Sequence, residues 1–83
     1  MLQSAQEKLV RLLVKWCDEL GEQTAEGTRL NHGLTHEEIG QMISASRETV
    51  SRLLTELKRK QIVQLNETGI LVHNRADLEL IVR

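Results

Sequence analysis

The fold is decided between Leu34 and Lys60, in the run LTHEEIGQMISASRETVSRLLTELKRK. Thr35-His36-Glu37-Glu38 has the form of a capping box, in which a hydroxyl and a carboxylate three residues apart satisfy reciprocal orphan N–H donors at a helix start. It opens a short helix whose apolar residues are Ile39, Met42 and Ile43. Ser44 and Ala45 form a break, and Ser46 can cap a second helix by accepting from the backbone N–H of Glu48 or Thr49. Along that helix Val50, Leu53, Leu54 and Leu57 recur at i, i+3, i+4 and i+7 as a core stripe. At about 100° per residue, Glu48, Ser51, Arg52, Thr55 and Arg59 then project from the opposite, wholly polar side.

Upstream, Ser4-Ala5-Gln6-Glu7 repeats the capping-box form. Leu9, Leu12, Leu13, Trp16, Cys17 and Leu20 follow on one helical face, and Gly21 is placed to end the helix. Val10 and Val14 widen this stripe round one flank, which suggests burial on two sides, against a partner or against chain outside this sequence. Residues 22–33, with Gly27 and Gly33 around Thr28-Arg29-Leu30, read as a loop or a short hairpin. Downstream, the β-prone runs Ile62–Leu65 and Ile70–His73 are joined by Asn66-Glu67-Thr68-Gly69, a four-residue hairpin connection with glycine where a positive φ is expected. Asn74 offers an N-cap for a last short helix that returns Leu78, Ile81 and Val82 to the core.

Length and composition set limits on function. Eighty-three residues with 40% hydrophobic content, one aromatic residue and no proline make one small domain with one core. No apolar run approaches the roughly 18 residues that cross a bilayer, and the N-terminus lacks a signal-peptide layout, so a soluble, cytoplasmic protein without membrane contact is expected. The single cysteine, Cys17, forms no internal disulfide and supplies no CxxC pair for a metal. The net charge of −1 looks unfavourable for a nucleic-acid partner until it is resolved by segment. Residues 46–62 hold Arg47, Arg52, Lys58, Arg59 and Lys60 against Glu48 and Glu56, a local balance of +3 in an otherwise mildly acidic chain.

Two helices separated by a tight break, the second with a basic outer face and followed at once by a hairpin, form the pattern of a winged helix-turn-helix. The expected fold class is mainly α with a small β-hairpin wing (α+β) and about four helices. The helix-turn-helix spans about 35–60 and the wing about 62–73. An α-helix fits the major groove of B-DNA, and helix N-termini hold phosphate oxygens. Arginine can bond guanine O6 and N7 with both arms of its fork and glutamate accepts from cytosine N4, so Glu48 and Arg52 can read neighbouring base pairs. Arg47, nearer the core flank, needs its length to reach the groove. His36, Ser51 and Arg59 are further candidates for phosphate contact.

The run from Leu34 through the distinctive centre Ser46-Arg47-Glu48-Thr49-Val50-Ser51-Arg52 to Lys60 resembles the helix-turn-helix signature of the Crp/Fnr family of bacterial transcription regulators. The flanking helix and hairpin fall in the family's order. The resemblance implies base contacts at Arg47, Glu48 and Arg52 and phosphate contacts at Thr35, Ser46 and Thr49. It also implies double-stranded DNA with a palindromic operator as partner, a homodimer in the full-length protein, and RNA polymerase as a protein partner. No cofactor is implied for this domain. A small-molecule effector, such as a cyclic nucleotide, would belong to an N-terminal sensor domain outside the chain, which then reads as the C-terminal DNA-binding portion. The Arg-Glu-x-x-x-Arg arrangement resembles members that read a TGTGA-like half-site. The chain departs from the family pattern at Ser44 and Gln61, where glycines are usual and a positive φ costs a non-glycine residue about 1 kcal/mol. The wing tip carries Glu67 and neither lysine nor arginine, which argues against a strong phosphate grip there.

Blander readings stand beside these. Glu48 and Arg52 could be an exposed i, i+4 pair worth only ~0.3 to 0.5 kcal/mol, and Thr35, Ser46 and Thr49 could serve only as caps. His32 and His36 are four apart, but Gly33 and the Thr35 cap between them argue against one helical face and a shared metal. Trp16 and Cys17 read as core, and nothing basic except Lys15 lies within helical reach to lower the thiol pKa. No nucleophile with a partnered base and no phosphate-cradling glycine loop is evident, so an enzyme is not expected. The alternative from another class is a winged-helix protein-interaction module, docking through the Val10 and Val14 flank without an operator.

Overall fold

The computed structural model describes residues 4–82. The elements run α1 (Ala5–Glu19), β1 (Glu22–Thr24), β2 (Gly27–Leu30), α2 (His36–Ile43), α3 (Arg47–Arg59), β3 (Val63–Leu65), β4 (Ile70–Val72) and α4 (Arg75–Ile81). Each helix starts at a polar cap legible in the sequence. Ser4 accepts from the Glu7 N–H, Ser46 from the Thr49 N–H and Asn74 from the Ala76 N–H. Only Thr35 forms the full reciprocal box, accepting from the Glu38 N–H at 3.1 Å while the Glu38 carboxylate accepts from the Thr35 N–H at 2.9 Å. Residues 22–30 form a hairpin, and it does not stand alone. β2 pairs with β4, so the two hairpins join in one antiparallel sheet of order β1-β2-β4-β3.

The helix ends carry the two departures seen in the sequence. Ser44 adopts φ 58° and ψ 45°, and both its N–H and that of Ala45 are directed to the Gly40 carbonyl, the latter at 2.8 Å. Gln61 adopts φ 61°, its N–H donates to the Lys58 carbonyl and the Ile62 N–H to the Leu57 carbonyl. Both are left-handed closures that satisfy orphan carbonyls, achieved without the usual glycine. At Gly40 the lack of a side chain matters for a different reason. A Cβ there would run into the Ala45 carbonyl, so glycine lets the chain fold back tightly between α2 and α3. The expected positive φ at Gly69 is not found; its φ lies outside that region, and glycine is needed because a Cβ would collide with the Leu30 carbonyl of the neighbouring strand. The turn itself is held by Asn66, whose Oδ1 accepts from the N–H groups of Thr68 and Gly69.

One core joins all layers. Leu9, Val10, Leu13 and Trp16 of α1 meet Ile39 and Ile43 of α2, Val50, Leu53, Leu54 and Leu57 of α3, Leu30, Val63, Ile70 and Val72 of the sheet, and Leu78 of α4. The wide stripe of α1 is accounted for within the chain. Val10 is fully buried, and Arg11 and Asp18 on the same flank bind opposite ends of α4: the Arg11 guanidinium donates to the Val82 carbonyl at 3.2 Å, and Asp18 pairs with Arg75. Helix α4 therefore lies antiparallel to α1 and covers the Val10 and Val14 flank, correcting the expectation that a partner or outside chain is needed there. No described helix is long and apolar enough to cross a membrane.

Candidate nucleic-acid interface

Helix α3 presents two chemistries on opposite sides. Its apolar stripe is buried, and its other side carries Arg47, Glu48, Arg52, Thr55 and Arg59, all exposed. Arg47 and Glu48 approach to 3.6 Å with both side chains well exposed, a contact that water and salt weaken to at most a fraction of a kcal/mol. The alternative i, i+4 pairing of Glu48 with Arg52 is not formed, and Arg52 makes no ion pair among the described residues. Its five N–H donors are thus left facing solvent.

The N-terminal end of α3 is organised for hydrogen bonding. Ser46 Oγ accepts from the Thr49 N–H at 3.1 Å and donates to Thr49 Oγ1 at 3.0 Å. The N–H groups of Arg47 and Glu48 have no acceptor among the described residues. At the start of α2 the N–H groups of His36 and Glu37 are equally free, although Glu37 and Glu38 place negative charge beside them. Arg47 counters Glu48 in the first turn of α3, so that terminus carries less net negative charge than the start of α2.

Not every candidate faces outward. Ser51 is half-buried, and its Oγ lies 2.7 Å from His36 Nδ1, tying the first residue of α2 to the middle of α3. The helical wheel places Ser51 on the polar side, but the edge it occupies is the one against which α2 packs. This side-chain bond joins residues fifteen apart on two different helices, and spacing within one helix does not reveal it. Arg59 stands twelve residues from Arg47, about 18 Å along the axis, where its nearest charged partner is Glu56 at 3.6 Å. Thr35, His36, Ser46, Thr49 and Ser51 thus gather around the start of α2 and the first half of α3, and Arg59 lies apart.

The remaining polar candidates settle into structural positions. His32 stacks on Trp16 with ring centroids 5.0 Å apart, and its Nδ1 accepts from the Leu34 N–H at 2.9 Å. Burial first, and the neighbouring His36 second, hold its pKa below the ordinary imidazole value. The described residues contain no cluster of three or more metal-ligating side chains. Cys17 is half-buried; burial pushes its thiol pKa up, and the opposing pull of Arg75 from α4, a neighbour not visible in the spacing of α1, is smaller.

A family profile described as a Crp-like helix-turn-helix domain matches residues 7–81. The chain belongs to this family. Its Crp-like domain is 32% identical over 71 residues to the global nitrogen regulator of Nostoc sp. strain PCC 7120, covering 86% of this chain and 32% of that protein. It is 31% identical over 65 residues to the CRP-like cAMP-activated global transcriptional regulator of Mycobacterium tuberculosis, covering 78% of this chain and 29% of that protein. A mutant CooA from Carboxydothermus hydrogenoformans superposes with a TM-score of 0.95 at 27% identity, over 100% of this chain and 38% of that one. The Crp-like domain therefore spans about a third of the length of the regulators it resembles.

Proposed function

We propose that this chain is the DNA-reading portion of a bacterial transcription regulator, placing α3 in the major groove. The observation that carries the reading is the outward face of α3, where Arg47, Glu48 and an ion-pair-free Arg52 stand exposed beside a capped helix start with free N–H groups. A groove about 12 Å wide admits such a helix. In it, each arginine fork matches guanine O6 and N7, and the Glu48 carboxylate accepts from cytosine N4. The Ser46 and Thr49 hydroxyls and the N–H groups of Arg47 and Glu48 fix the helix on one strand's phosphates. The hydroxyl of Thr35 and the His36 ring meet phosphate on the α2 side. Ser51 acts there by orienting His36, and Arg59 adds charge at the far end.

The chain's share of its relatives' length supports a sensor domain and dimerisation helix elsewhere in the full-length protein, with a small-molecule effector bound in that sensor. On this reading two copies bind a palindromic operator, contact RNA polymerase and act in the cytoplasm without catalysis. The same relatives are named as regulators, which supports a binding role over an enzymatic one.

Salt titration of duplex binding tests the reading. Log affinity falls linearly with log salt, with a slope near −0.9 per phosphate neutralised, and Thr49→Ala weakens all duplexes alike. A response flat in salt would replace the reading with a protein-interaction module.

A further inference from the structure

Away from the α3 face, α1 and α2 form a groove of about 310 Å³ lined by Lys8, Arg11, Leu12, Lys15, Met42 and Ile43. Lys8, Arg11, Leu12 and Lys15 follow at i, i+3, i+4 and i+7 and so share one face of α1. The floor is apolar: Leu12 is half-buried against the core, Ile43 is buried, and Met42, 55% exposed, lies at the groove's edge. The rim is cationic, and no carboxylate lines it. Lys8, Arg11 and Lys15 form no ion pair among the described residues; only Arg11 is engaged, through the Val82 carbonyl.

We infer that this groove docks an acidic amphipathic helix of a partner protein. Lys8 and Lys15 are seven residues apart, about 10 Å along α1, which matches two carboxylates two turns apart on a facing helix. An apolar side chain midway between those carboxylates lands on Leu12 and Met42, and the flexible thioether adapts to its shape. The combination selects a peptide over a nucleic acid, because a phosphate backbone satisfies the lysines and leaves Met42 uncovered. None of the lining residues belongs to the proposed DNA face, so the groove can be filled while α3 is in use. The inference stands independently of the DNA reading.

The test uses methyl NMR, since the chain holds only two methionines, Met1 and Met42. The probe is a synthetic helical peptide with leucine centred between glutamates at i and i+7 on one face. The expected result is a saturable shift of the Met42 methyl. A variant combining Lys8→Glu with Lys15→Glu weakens binding by about two- to thirtyfold, the range set by two exposed ion pairs. A peptide carrying lysines in place of the two glutamates recovers affinity for that variant. No shift at Met42, binding indifferent to the charge reversal, or a Met42 shift produced by a duplex oligonucleotide and not by the peptide overturns the inference.

Discussion

Replacing Ser44 and Gln61 by glycine isolates the strain stored at the two helix closures. Both residues sit in the left-handed region, at φ 58° and 61°, where an L side chain costs about 1 to 2 kcal/mol and glycine costs almost nothing. Glycine also loosens the unfolded chain, which offsets about 0.4 to 1 kcal/mol of that relief. Both side chains are exposed and make no hydrogen bond among the described residues, so their removal costs no packing or bonding. The net expectation is about 0.5 kcal/mol of stabilisation per site. The two sites close different helices, α2 and α3, and share no partner, so the double variant gains about 1 kcal/mol. For a domain this size that raises the unfolding midpoint by roughly 4 to 8 °C. Thermal unfolding followed by circular dichroism measures it, with Ser44→Val as the opposite control: a β-branched residue at positive φ lowers the midpoint. If both glycine variants unfold at or below the parent temperature while the valine variant is unharmed, the strain assignment is wrong.

Other consequences follow from burial and charge. Leu78→Ala opens a cavity in the fully buried contact of α4 with the core and costs about 2 to 5 kcal/mol, which urea unfolding detects as an earlier midpoint at unchanged slope. His32 has its pKa held below 6.5, mainly by burial, so the unfolded chain binds its proton first as pH falls. Stability is therefore full above pH 6.5, is lost as pH drops through that value, and levels off once the folded imidazole also protonates. His32→Asn keeps an acceptor for the Leu34 N–H and removes this contribution. The fluorescence of Trp16, the sole aromatic residue, reports the difference between the two unfolding curves.

What was legible in the sequence is what local chemistry determines. Ser4, Thr35, Ser46 and Asn74 mark helix starts because a cap needs only a hydroxyl or amide a few residues from its donor, and all four caps form. The stripe of α3 fixes which side is core, and with it the exposure of Arg47, Glu48 and Arg52. Features depending on distant partners were not legible. The pairing of Asp18 with Arg75 spans 57 residues, so nothing within α1 showed that α4 would cover its second flank. Strand β2 lay in a segment equally readable as loop, and its place beside β4 is what forces Gly69 to be small. The bond between His36 and Ser51 and the groove beside Met42 arise only when α2 packs on its neighbours.

We propose that Arg52, on the outward face of α3, reads a base. Selection of bound sites from random duplexes, run in parallel with the parent chain and with Arg52→Ala, tests it most directly. An enriched TGTGA-like half-site is expected for the parent. The variant is expected to lose preference at one base pair of that half-site and about 1 to 3 kcal/mol of affinity for it, with binding to random duplex much less affected. Recovery of no preferred sequence, or an equal loss on selected and random duplexes, would contradict it.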